Sequence, residues 1–267
     1  MAQKKHSELN QAVDEAVRRS QDYFRRTQYP DGYWWGELES NPTMEAEYLM
    51  LCKFTDRHDP ERWRKVANHI LSKQRSDGSW GQYYESPGDV STSVECYFAL
   101  KLAGHSPDSL PMRLAREFIL SKGGIPKVRV FTKIWLALFG QWDWKGTPNM
   151  PPEMIYLPSW APFNIYEFAS WARATVVPML IILTRQPQCQ IPESAHIDEL
   201  YPDGREGMDY TIPKPAGGLG WAKAFHWADK LVGLYHRLPV HPLRGRAERK
   251  IIEWVLERQE ADGSWAG

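Results

Sequence analysis

Gln74-Arg75-Ser76-Asp77-Gly78-Ser79-Trp80 is one of three copies of a short word in this chain, with Gln28-Tyr29-Pro30-Asp31-Gly32-Tyr33-Trp34 before it and Gln259-Glu260-Ala261-Asp262-Gly263-Ser264-Trp265 far behind it. Each copy sets a Gly four residues after the Gln and a Trp two residues later, and each follows a stretch with helical periodicity. Repetition of this kind carries the fold. A Gln at a helix C-terminus can direct its amide at backbone groups that the last turn leaves unpaired, the Gly supplies the positive φ of the turn, and the Trp offers a broad face to pack over it. The words therefore predict structural staples between neighbouring helices, and none of their residues is expected to be catalytic.

Outward from the words the chain reads as helices. Leu9, Val13, Val17 and Phe24 fall at helical spacing and predict an amphipathic helix over residues 8–27, closed by the first word. Asn41-Pro42 offers an N-cap followed by proline at the first helical position, and Asp59-Pro60 repeats that signal for a helix over 60–74, closed by the second word. The next pair falls at 90–103, stopped by Gly104, and at 107–122, stopped by Gly123-Gly124. That stop is a worn copy of the word: Ile119-Leu120-Ser121-Lys122 repeats Ile70-Leu71-Ser72-Lys73, with the Gln and Trp lost. Further helices are expected at 129–140, 163–184, 220–236 and 246–259, and residues 143–162 and 185–219, rich in Pro, Gly and charge, are expected to be long surface connections. No segment has strand periodicity. The expected class is all-α, tandem hairpins of alternating inner and outer helices in a solenoid or a closed ring.

Composition sets the outer limits. The 267 residues are 42% hydrophobic, enough for a substantial core, and predict a soluble globule. Lys plus Arg and Asp plus Glu both total 33, so no net charge recruits nucleic acid. Cys52, Cys96 and Cys189 are odd in number and far apart, which fits core filling in a reducing compartment better than a disulfide framework. The polar stretch Met1–Asn10 lacks the apolar run of a signal peptide, which points to the cytoplasm. The longest apolar run, Val176-Val177-Pro178-Met179-Leu180-Ile181-Ile182-Leu183, is far short of the roughly 20 residues that a spanning helix needs. The aromatic load stands out: 13 Trp and 12 Tyr must line or staple something.

The words, together with Gly32-Tyr33-Trp34-Trp35-Gly36, Thr43-Met44-Glu45-Ala46-Glu47-Tyr48 and Asn164-Ile165-Tyr166-Glu167-Phe168-Ala169-Ser170-Trp171-Ala172-Arg173-Ala174-Thr175, resemble the N-terminal part of a squalene-hopene cyclase, from about residue 12 to Gly267. The resemblance implies an α/α toroid, a barrel of inner and outer helices, here incomplete. Residues 28–267 would form the N-terminal barrel of a two-domain enzyme, and residues 1–27 a leading helix packing on the missing second domain. Members of that family hold linear squalene in a hydrophobic cavity between two barrels and convert it to pentacyclic hopene and hopanol, an isomerase reaction of the intramolecular transferase type. No cofactor is implied. The implied partners are squalene or a related polyprenoid, the C-terminal barrel and, as in the family, a second copy in a homodimer. The family attaches to the inner membrane monotopically, through a nonpolar surface expected largely outside this sequence.

Polyene cyclisation begins when a strong acid protonates an alkene, and it proceeds through carbocations that must be stabilised without a nucleophile to trap them. Aromatic faces meet that demand, each contributing about 0.5–2 kcal/mol to a cation. By resemblance, Trp171 and Phe131 face the cavity, Val176 lies beside the substrate channel, and Glu47 and Glu95 belong to polar networks that hold waters and shape the site. The bland alternatives are an ordinary core aromatic for Phe131 and Trp171, and a structural buried ion pair for either glutamate. A carboxylate amid Val94-Glu95-Cys96-Tyr97-Phe98-Ala99-Leu100 requires a partner, for which Arg129 and Arg173 are the candidates.

The family's proton donor is the middle Asp of an Asp-x-Asp-Asp motif in the other barrel, and this sequence has no such motif. Neither Asp198-Glu199 nor Asp203-Gly204 replaces it. An ordinary carboxylic acid, with a pKa of about 4, is far too weak for an isolated alkene, so the chain is expected to be inactive alone, as an N-terminal fragment or truncated product with an apolar face and a tendency to self-associate. A non-enzymatic α/α-ring module binding an isoprenoid lipid or a protein partner would carry the same words and lack the same acid. A prenyltransferase subunit would want an Asp/Cys/His zinc set, and a glycoside hydrolase a pair of carboxylates at a cleft; neither is evident. Gly217-Gly218-Leu219-Gly220 has neither the preceding strand nor the spacing of a phosphate loop. His196, His226, His236 and His241 lie on separate segments, and no metal is expected.

Overall fold

Asp59 opens a helix as its position promises: its Oδ1 accepts the Arg62 N–H at 3.0 Å, with Pro60 at the first helical position. Asp89 does the same for Thr92 at 2.8 Å, whereas the expected Asn41 cap is displaced by one residue: the helix begins at Thr43 with Pro42 at the N-cap position and no side-chain cap, and Asn41 Oδ1 accepts the Thr43 N–H at 3.0 Å ahead of it. The computed structural model describes residues 2–35, 40–161, 164–211 and 220–265. Its helices are α1 (Ala2–Thr27), α2 (Thr43–Phe54), α3 (Pro60–Ser72), α4 (Val90–Leu102), α5 (Leu110–Ser121), α6 (Val130–Leu138), α7 (Ser170–Arg185), α8 (Trp221–His236) and α9 (Arg244–Leu256). Gly36, Gly217, Gly218, Leu219 and Gly267 of the sequence motifs lie outside the described residues.

The architecture is mostly helical, in two compact units, Met1–Ser40 and Asn41–Gly267. In the larger unit α4 is central: every residue from Ser91 to Lys101 is buried, and α4 packs against α2, α3, α5 and α6. A helix buried on every face must pair the polar groups it carries, here Glu95 and Lys101. A second, smaller core joins Val177 and Leu180 of α7 to Ala247 and Ile251 of α9, with Ile155 and Ile165 from the connecting turns. Cys52 and Cys96 are buried and Cys189 half-buried, all three as free thiols. Among the described residues no helix is long and apolar enough to cross a membrane.

All three words make the same bonds. Gln Nε2 donates to the Gly carbonyl, at 2.8 Å from Gln28 to Gly32, 2.9 Å from Gln74 to Gly78 and 3.0 Å from Gln259 to Gly263. Trp Nε1 donates to the carbonyl ten residues earlier, at 2.7 Å each from Trp34 to Phe24, Trp80 to Ile70 and Trp265 to Val255. Those acceptors lie in the last turns of α1, α3 and α9. The tryptophan, not the glutamine, thus satisfies the helix end, and the glutamine closes the turn that Gly78, at φ +81°, allows.

Several expectations are corrected. The helix expected over 163–184 begins at Ser170, after a 3₁₀ turn at Ile165–Glu167, and the one expected over 107–122 begins at Leu110. A two-residue antiparallel ladder, Trp80–Gly81 with Gly88–Asp89, was too short to show a period. The connections over 143–162 and 185–219 are not simply surface: Ile155, Ile197, Leu200 and Tyr201 are buried. They are pinned by polar bonds that no local pattern announces. Lys101 Nζ lies 2.7 Å from Glu199 Oε1, the Tyr97 hydroxyl donates to the same oxygen at 2.9 Å, and Gln141 Oε1 accepts the Ile197 N–H at 3.0 Å.

Candidate substrate-facing site

Glu95 sits in the middle of α4 with no solvent exposure. Such a carboxylate survives only with partners. Arg129, the residue before α6, brings Nη2 to 3.2 Å from Oε1 and 3.3 Å from Oε2, and the Thr132 hydroxyl, in the first turn of α6, donates to Oε1. The Arg129 backbone N–H donates to Ser91 Oγ at 2.9 Å, which ties the start of α6 to the start of α4. Burial raises the Glu95 pKa above its ordinary value, opposed by the Thr132 hydrogen bond and the Arg129 charge.

Glu47, half-buried on α2, is the second acid. Burial pushes its pKa up to about 7, helped by the negative charge of Glu95 and opposed by Arg129 and by a hydrogen bond from Trp135. Arg129 bonds Glu95 and acts on Glu47 through its charge, and with a pKa of about 7 Glu47 can hold or release a proton at neutral pH. It remains far too weak to protonate an alkene.

Phe131 and Trp135 lie four residues apart on α6 and so share a face. Phe131 is 47% exposed, while Trp135 packs partly into the core. On α7, Trp171 is 69% exposed and Val176 half-buried. The structure therefore brings Glu47, Glu95 and Arg129 into electrostatic reach of one another, leaves Phe131 exposed on α6 two residues after Arg129, and places Trp171 and Val176 on the helix of the second core. Arg173 is not a partner of either glutamate: its Nη2 donates to the Phe168 carbonyl at 3.2 Å and its guanidinium lies 5.5 Å from the Tyr166 ring centroid. Thr132 and Trp135 escaped the sequence reading. Trp135 carried one usable signal, its four-residue spacing from Phe131; Thr132 carried none.

No group of three or more His, Cys, Asp or Glu among the described residues is arranged to hold a metal ion. Comparison with known proteins is specific. The squalene-hopene cyclase N-terminal domain family matches residues 17–267. The squalene-hopene cyclase of Alicyclobacillus acidocaldarius is 46% identical over 93% of this chain, the dammaradiene synthase of Dryopteris crassirhizoma 38% over 96%, and a squalene hopane cyclase of Aspergillus fumigatus 39% over 90%. The aligned parts are 39%, 37% and 33% of those proteins, so the chain spans well under half their length.

Proposed function

The chain belongs to the squalene-hopene cyclase family, and from that premise we propose that it forms part of the N-terminal α/α toroid of a two-domain triterpene cyclase, an isomerase that closes squalene or a related polyprenoid into pentacyclic hopanoids. Its part is cavity wall. The observation that carries this is an aromatic side chain, Phe131 on α6, left 47% exposed two residues after the arginine that holds buried Glu95. An aromatic side chain left half in water by its own core is available to a partner or a ligand, and an indole or phenyl face stabilises a cation without trapping it. Trp171, more exposed still, is assigned the same role on α7, with Val176 beside the channel.

The acid is supplied elsewhere. With no Asp-x-Asp-Asp sequence present, and the elevated carboxyl of Glu47 too weak to start cyclisation, the chain alone is inactive and the second barrel brings the proton donor. The exposed stripe Leu9, Val13, Val17 and Phe24 along α1 supports docking of the leading helix on that second domain. Association with the inner membrane is peripheral; Trp227, Leu231 and Leu234, exposed along α8, with Leu238 just beyond its end, support a contribution from this chain. A family-type homodimer is part of the same reading.

The test is squalene turnover, with hopanoids detected by gas chromatography and mass spectrometry, for the chain alone and for the chain co-expressed with the remaining C-terminal part of the Alicyclobacillus relative. Product only from the pair is the expected result. Product from the chain alone overturns the assignment of the acid, and silence from both, with squalene bound, favours a lipid-binding module.

A further inference from the structure

Helix α8 is held on the larger unit by polar groups. Neither hydrophobic core draws a described side chain from it, and none of its described side chains is fully buried. Its bonds run to two neighbours, the segment 149–156 and the start of α9. Asp229 Oδ1 accepts the Asn149 N–H at 2.7 Å, and Oδ2 accepts from the Asn149 side-chain amide at 3.2 Å. Further along, the Tyr235 hydroxyl donates at 2.8 Å to Oε1 of Glu153, in the 3₁₀ turn Pro152–Tyr156. Arg244, which opens α9, places Nε 3.7 Å from the same Glu153 oxygen and its guanidinium 5.5 Å from the Tyr235 ring centroid, and brings Nη2 to 3.0 Å from His236 Nδ1.

Two histidines close the end of the helix, and their partners fix the proton on each. The Tyr235 carbonyl, in the last turn of α8, can only accept, so His241 Nε2, 2.8 Å away, is the donor. A guanidinium can only donate, so His236 Nδ1 offers a lone pair to Arg244 and the ring is neutral, with its proton on Nε2. A proton on Nδ1 would turn N–H against N–H and set two cations side by side. The other charged or titratable groups acting on His236 are Glu153, His241 and Asp229. Of the two acids, Glu153 is engaged by Tyr235 and Arg244, and Asp229 by Asn149. Burial and the Arg244 charge hold the His236 ring below its ordinary value of 6.5, in keeping with the neutral form.

We infer that Glu153, Tyr235, His236, His241 and Arg244 form an acid-released latch that holds the C-terminal half of α8 on the larger unit. The latch is complete above about pH 6.5 and loosens as the pH falls below that value, because the released ring binds a proton that the latched ring excludes. The bond from Tyr235 to Glu153 needs no imidazole, so acid removes one arm of the latch and leaves the other. Release frees the exposed Trp227, Leu231 and Leu234 to shift against the rest of the unit. Glu47 responds in the opposite sense: the folded chain keeps on it a proton that the unfolded chain gives up, so acid in this range favours the fold as a whole. The inference needs no part of the cyclase reading.

The test is amide hydrogen exchange of the chain at pH 7.5 and pH 5.5, each rate divided by that of an unstructured peptide at the same pH. Protection at the amides of 231–236 is expected to fall about tenfold between the two, the loss of one hydrogen bond from a charged donor, while the amides of 94–100 in α4 keep theirs. His236→Gln keeps an acceptor for Arg244 and cannot be protonated, so its protection at pH 5.5 should stay within about twofold of that at pH 7.5. Tyr235→Phe removes the other arm, and should lower protection at both pH values while keeping the acid response. Unchanged protection at pH 5.5 in the wild type overturns the inference, as does an acid response that survives in His236→Gln. A fall shared equally by α4 would mean that the whole unit opens, and overturns it too. Protection in Tyr235→Phe equal to that of the wild type would take Glu153 and Tyr235 out of the latch and overturn it as drawn.

Discussion

Arg129 holds Glu95 through a single guanidinium nitrogen, Nη2, placed almost equally from the two carboxylate oxygens at 3.2 and 3.3 Å. The two ends of this contact differ. Glu95 is wholly inside α4, whereas the Arg129 side chain is 36% exposed and keeps water on its far side. The cost of separating them depends on which partner is removed.

Arg129→Ala strands a buried carboxylate with only Thr132 to answer it, and is expected to cost about 3–5 kcal/mol of stability. Glu95→Gln removes the charge, keeps an acceptor for Thr132 and leaves Arg129 with water, for about 1–2 kcal/mol. Urea unfolding at pH 8 separates the two. Equal losses below about 1 kcal/mol would mean that Glu95 is not isolated from solvent.

Glu47 makes the fold sensitive to pH in a direction opposite to that of an ordinary paired acid. Its folded pKa of about 7 lies above its ordinary value of 4.5, so between those limits the folded chain keeps a proton that the unfolded chain has released. Unfolding stability therefore falls as pH rises from about 4.5 to about 7 and then levels. Water reaches part of the group, so the fall is about 1–2 kcal/mol and not the full value of the shift. Glu47→Gln is expected to remove most of this slope in urea midpoints between pH 5 and 7.5, with a residue left to Glu95, whose pKa is raised too. An unchanged slope would place the sensitivity elsewhere.

The start at Pro60 was readable because Asp59 caps it through its own side chain, a local signal, and the worn word at Ile119–Gly124 was readable because its interval matched. The buried path through Ile197, Leu200 and Tyr201 was not. It runs in 3₁₀ turns without a period, and its anchors, Lys101 and Tyr97 on Glu199, span about a hundred residues of sequence. The site divides in the same way. Burial within an apolar helix told that Glu95 needed a partner and made Arg129 a candidate, but nothing local distinguished it from Arg173, which bonds the Phe168 carbonyl instead. Thr132, 37 residues from Glu95, joins it only through the packing of α6 on α4.

Identical words in different surroundings give unequal mutational costs. Trp80→Ala opens a hole in the main core and removes the bond to Ile70 O, for about 3–5 kcal/mol, whereas Trp265→Ala on the open copy is expected to cost about 1 kcal/mol. Gly78→Ala adds a collision with the Leu114 backbone to the strain at φ +81°, while Gly263→Ala meets the strain alone, about 1 kcal/mol. Thermal unfolding of the four single variants measures the contrast. Equal costs at the two copies would mean that the word stabilises only its own turn.

Trp171 separates a cavity role from a core role. An indole 69% exposed contributes little to the packing of α7, so Trp171→Ala should leave stability within about 0.5 kcal/mol of the wild type. If its face stabilises a cation in the assembled enzyme, the loss of about 1–2 kcal/mol from the transition state lowers squalene turnover by about fivefold to thirtyfold. Trp171→Phe keeps a π-face and should recover much of that rate, which a purely steric role would not grant. Phe131→Ala, at 47% exposure, should follow the same pattern with a somewhat larger stability cost. The decisive comparison is product yield, by gas chromatography and mass spectrometry, in the co-expressed pair against unfolding of the chain alone. A Trp171→Ala chain that unfolds early and cyclises normally would return Trp171 to the core.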